Sequence, residues 1–236
     1  MKNKWINFSI IAGCLIIMVF SSCSPVAEVA IAESGDVVLD LTVIPSGTTE
    51  ALVERLADKD ASKLSIYDKN ELINSLKKED ITVKKLELIS STGIKTKVLI
   101  PKETVAKSEL FLIDTQNRYI TCNINKQTLG YLIEAFPEDI KAYIEDLLMS
   151  PIITGEVLTS KEYENLIAAA YGPKIAGELK TAFLKIAVSC PGKIDSVKIE
   201  PAGKVRYFTG NSTTITVPLS YILSLPKPLL VKIEYK

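Results

Sequence analysis

The hydrophobic period changes twice along this chain, and the order of the changes restricts what it can fold into. Residues 81–124 alternate with period two. Residues 81–89 and 93–100 flank a Ser90-Ser91-Thr92-Gly93 turn, and residues 110–113 and 119–124 flank Asp114-Thr115-Gln116-Asn117. Alternation bounded by turn residues is the signature of half-buried strands, and the second pair is a hairpin signal. Residues 126–181 then repeat at helical spacing. Period two returns at 183–189, 196–200, 205–208, 213–217 and 229–235. Strands, then helices, then strands predict an α+β fold: an antiparallel sheet framework with a central helical insert packed on it.

The insert divides at its prolines and caps. Residues 126–136 and 137–149 read as two helices meeting at Pro137, a residue suited to a first helical turn. Phe136, Ile140, Tyr143, Ile144, Leu147 and Leu148 form one apolar stripe. Thr159-x-x-Glu162 is a capping box, and the helix it opens carries Tyr163, Leu166, Ile167, Ala170 and Tyr171 before Gly172-Pro173 breaks it. Residues 173–181 continue as a further helix. Upstream, residues 36–44 alternate, with Val37, Leu39, Leu41 and Val43 on one face. Two shorter helices are expected at about 48–59 and 68–78.

Composition removes several classes of chemistry. The chain has no histidine, so Ser-His-Asp and Cys-His catalysis and His-containing zinc sites are excluded. Glu138-Asp139 and Glu145-Asp146 share one side of a helix. They read as a solvated face opposite the apolar stripe, with the first pair placed where a helix dipole favours acids. Gly172-Pro173, Pro191-Gly192 and Gly203-Lys204 lack phosphate-loop spacing and read as turns. No catalytic motif and no cofactor site emerges. Asn211-Ser212-Thr213 matches a glycosylation acceptor pattern.

The N-terminus has the form of an export signal: Lys2 and Lys4, an apolar run from Ile6 to Phe20, then Ser21-Ser22-Cys23. The terminal cysteine makes it resemble a bacterial lipoprotein signal. That resemblance implies cleavage before Cys23, acyl chains on Cys23, and a bacterial cell-envelope protein held to a membrane through its lipidated N-terminus. Ile11-Ala12-Gly13-Cys14 is a competing site, but cutting there leaves an apolar run of only about six residues, against roughly 7–15 for such signals. The run is also short of the roughly 20 residues that span a bilayer.

The resulting organisation is a signal at 1–22, a lipidated N-terminus and small-residue tether at 23–35, and a single α+β domain at 36–236. Lys+Arg 28 balance Asp+Glu 28, and loss of Lys2 and Lys4 leaves the mature chain two charges negative. Such a chain lacks the basic excess that nucleic acid requires. Cys122 and Cys190 remain, either as a disulfide in an oxidising compartment or as separate buried thiols.

Residues 184–194, with their Pro191-Gly192 turn, then Ala202-Gly203-Lys204, then residues 213–219, have a strand–turn–strand rhythm. This resembles the end of the extracellular domain in LppM-like bacterial lipoproteins, and the alternating strand ending in Pro45-Ser46-Gly47 is compatible with it. The resemblance implies a non-catalytic envelope domain with lipid as a ligand class. Together these readings predict a binding protein whose partner is a lipid or other apolar ligand. A scaffold that binds another envelope protein is the alternative. The expected ligand space lies between the stripes of the insert helices, with Leu147, Leu148, Tyr163 and Ile167 as its contacts.

Overall fold

The computed structural model describes residues 25–44, 46–48, 51, 69–78, 80–90, 93–107, 110–129 and 155–236. The fold is α+β, with antiparallel pairing dominant. Its strands are β1 (Val26–Ile31), β2 (Val37–Val43), β3 (Thr82–Leu88), β4 (Ile94–Ile100), β5 (Phe111–Asp114), β6 (Tyr119–Ile124), β7 (Phe183–Ser189), β8 (Ile194–Glu200), β9 (Lys204–Thr209), β10 (Ser212–Pro218) and β11 (Leu229–Tyr235). The described helices with full bounds are α1 (Lys69–Lys78), α2 (Lys102–Ala106), α3 (Ser160–Tyr171), α4 (Pro173–Thr181) and α5 (Leu219–Ser224).

The strands form two sheets. The larger has the order β3-β4-β2-β1-β7-β10-β9 and the smaller β5-β6-β11-β8. Both sheets mix strands from before and after the helical insert, through the β1–β7 and β6–β11 pairs. Every pair is antiparallel except β1–β7, which is parallel. Alternation decides the layering. In β2 the pattern is strict, with Val37, Leu39, Leu41 and Val43 buried and Val38, Asp40 and Thr42 less so. In β11, Leu229, Val231, Ile233 and Tyr235 are buried in the same way. Each sheet therefore has one apolar face, and the two apolar faces oppose each other.

Strand β1 corrects the tether expected at 23–35. Ala27, Val29 and Ile31 point inward, and the strand lies between β2 and β7 rather than trailing from the domain. The turn that follows is tied down as well. Asp36 accepts the Lys102 backbone N–H at 2.9 Å and the Ser34 hydroxyl at 2.9 Å, bonds that hold its carboxyl below the usual carboxylate range.

The capping box is present. Glu162 N–H donates to Thr159 Oγ1 at 3.3 Å, and the Glu162 carboxylate accepts the Thr159 N–H at 2.7 Å. These bonds hold the Glu162 carboxyl below its ordinary value. A depressed carboxylate contributes stability above its unfolded pKa, which is lost as the pH falls through the folded one. Thr159→Ala is therefore expected to lower the melting temperature by a few degrees at neutral pH. The deficit should shrink once acid protonates Glu162 in the wild type, and parallel thermal melts across that range check it.

Helix α3 ends at Tyr171. Gly172, at φ 91°, turns the chain, and Pro173 opens α4. Helix α5 follows β10 and is buried along its whole length, packed with α3 and α4. A turn of helix at 126–129 is opened by Asn125, whose side-chain oxygen accepts the Thr128 N–H at 2.9 Å. Residues 130–136 and the whole of the helix expected at 137–149, with Glu138, Asp139, Glu145 and Asp146, lie outside the described residues. Most of the helix expected at 48–59 does too. At the other end of the sandwich, a Cβ on Gly192 would run into the Lys236 carbonyl, so that turn requires glycine.

Candidate apolar cavity between the sheets

The opposed sheet faces do not close completely. Between them is a cavity of about 90 Å³. The larger sheet contributes Ala27 and Val29 from β1, Leu39 from β2 and Ile186 from β7. The smaller contributes strands β5, β6 and β11, with Cys122 at its middle. The twenty lining residues are all apolar or thiol, and Phe111 is their one aromatic. Sheets packed face to face stand ~10 Å apart, and aliphatic side chains meeting tip to tip leave part of that depth unfilled. Val29 and Ile186 show the effect. Both lie on central strands and face inward, yet both keep partial exposure, which is to the cavity.

The void has a cost. At roughly 24 cal/mol per Å³, about 90 Å³ amounts to about 2 kcal/mol. That is a substantial part of the ~5–15 kcal/mol by which a domain is stable. Water does not fill it on favourable terms, because a buried water needs two or more polar partners and the lining has none.

Cys122 does not make the cavity reactive. Burial pushes its thiol up to about 12, so it stays protonated and behaves as a small hydrophobe. Cys190 is likewise buried and its thiol is pushed up to about 11. Both are free, which resolves the two readings of this pair in favour of separate thiols. Among the described residues, no group of three or more Cys, Asp or Glu is placed to hold a metal. No described helix is long and apolar enough to cross a membrane.

The cavity is not where the sequence placed a ligand space. Tyr163 is 0% exposed and Ile167 4% exposed, and neither lines it. Both sit on α3, which packs against α4 and the buried α5. Leu147, Leu148 and Cys23 lie outside the described residues. The residues that do form the cavity carried one sequence signal. Their inward positions alternate as Val, Ile, Leu and Ala with almost no aromatic to span the gap. Compared with known proteins, the chain matches no family model, no curated protein and no solved structure.

Proposed function

We propose that the protein is a bacterial envelope lipoprotein, anchored through Cys23, that binds the end of an apolar chain between its two sheets and catalyses nothing. The observation that carries the binding half is the wholly apolar void of about 90 Å³. Cavities of ~150 Å³ lined by the same side-chain types stay dry and take up benzene-sized molecules. A smaller one suits the terminal carbons of one acyl chain, and ordinary ligand pockets of roughly 300–1,000 Å³ are larger. The ligand class is therefore a lipid whose chain end enters while its remainder stays outside. The anchoring half rests on the signal and on the resemblance to LppM-like lipoproteins.

Ala27→Leu tests the cavity. Ala27 is buried on β1, with Leu41 and Ile186 as its cross-strand neighbours. The added carbons fill empty space, so the variant should gain about 1–2 kcal/mol, by the same volume relation. For a chain of this size that corresponds to a melting temperature higher by roughly 2–8 °C. Uptake of a fluorescent fatty acid by the wild type should be lost in the variant. A variant destabilised by the roughly 1–3 kcal/mol of an overpacked core, with no uptake by the wild type, would leave the scaffold role instead.

A further inference from the structure

The chain enters the sandwich at one particular end. Val26 pairs with Thr42 and Lys185, and the Pro25 carbonyl accepts the Lys185 N–H at 3.0 Å. Cys23 lies two residues before Pro25. Two residues of extended chain span at most about 7 Å, comparable to the headgroup layer, which adds ~5–8 Å to each side of the hydrocarbon core. An acylated Cys23 therefore cannot hold the domain away from a bilayer.

The same end carries exposed apolar side chains. Register places Val43, Ile94 and Leu88 in one row across β2, β4 and β3. Ile44 and Ile89 follow directly at the exits of β2 and β3. Ile44 is 46% exposed, Leu88 36% and Ile89 47%. Val157, 78% exposed, leads into α3 beside Glu156, whose carbonyl is held by Lys126 just past the end of β6. At strand spacings of ~4.8 Å, β3 lies ~14 Å from the point where the chain enters β1. One row further in, Lys95, Lys185 and Lys204 line up across the outer face through Thr42, Val26 and Thr216, with Glu87 at the β3 margin. The opposite end carries Glu33 and Asp36 in the β1–β2 turn, Asp114 at the end of β5 and Asp195 near the start of β8, with Lys102, Arg118, Lys193 and Lys236 beside them.

We infer that the sheet end bearing Ile44, Leu88 and Ile89 rests on the membrane, its apolar side chains at headgroup depth and its lysine row facing anionic lipid. This rests on the anchoring reading, because Cys23 sets the distance. Interfacial burial of apolar side chains combined with basic residues is a recognised way of holding a surface to a leaflet. The far end, with the β1–β2 turn, then points away from the bilayer.

The test is direct, since the chain's only Trp, Trp5, precedes Cys23 and leaves with the signal, so the mature chain has no Trp of its own. Ile89→Trp and Glu33→Trp place single probes at the two ends. Each full-length protein is expressed with its signal, purified, and weighed to confirm the acyl chains. It is then reconstituted into phosphatidylethanolamine–phosphatidylglycerol vesicles containing chain-brominated lipid. Ile89→Trp should shift to the blue and lose most of its emission, while Glu33→Trp keeps its own. Equal quenching at both ends, or none at Ile89→Trp in a protein that carries its acyl chains, overturns the orientation alone. A mature mass without acyl chains, or labelled palmitate still incorporated by Cys23→Ala, overturns the anchoring reading and the orientation with it. Fatty-acid uptake is measured separately and is unaffected by either result.

Discussion

Ala30→Pro is expected to cost about 3 kcal/mol or more, or to prevent folding altogether. Its side chain is exposed on the outer face of the larger sheet, so the proline ring meets no packed neighbour. The damage comes from the backbone. β1 is flanked on both sides, with Ala30 opposite Val38 on β2 and Ser189 on β7. A proline there removes a ladder donor and imposes a φ unlike that of a strand, which sheets tolerate only at edges. In a flexible tether the same change would be neutral or slightly stabilising. Urea unfolding of the soluble 24–236 fragment separates the two cases. A midpoint equal to wild type would return residues 24–35 to a tether and would also remove the length argument for membrane contact.

Tyr163→Ala should cost about 3–5 kcal/mol, as truncation of a fully buried aromatic does. The ring is completely enclosed, and burial pushes its phenol far above the ordinary tyrosine value. The substitution leaves a hole among α3, α4 and α5, where the buried α5 has little freedom to collapse into it. Tyr163→Phe keeps the ring and should keep fatty-acid uptake as well. If Tyr163→Phe abolished uptake while Ala27→Leu left it intact, the ligand space would lie among the helices, where the sequence had placed it.

Several elements were legible because their signals are local. The strands at 183–189 and 229–235 have the bounds that alternation predicted, and the α3 start follows from the Thr159–Glu162 box. Gly172-Pro173 marked the α3–α4 break because a positive φ and a fixed proline φ are properties of those two residues alone. Other elements were hidden. β1 alternates as Ala27, Val29 and Ile31, but alanine is a weak strand former, and one of its partners, β7, lies more than 150 residues away. α5 continues the apolar run of β10. It becomes helix because Pro218 ends the ladder and the chain must turn toward β11. α2 is a five-residue helix behind Pro101, too short to show a period.

What the sequence determined by itself was the type of the strongly periodic elements, the inward face of β2, and the exclusion of histidine-based chemistry. These depend on residue identity and on spacing along the chain. Only the tertiary structure decided that the strands divide into two sheets, that β1 joins β2 to β7, and that Tyr163 and Ile167 are buried away from the cavity. It alone placed the empty space between the sheets. A cavity is a difference between the distance two faces keep and the reach of the side chains on them. That distance is set by pairings between residues far apart in the chain, so no local pattern contains it.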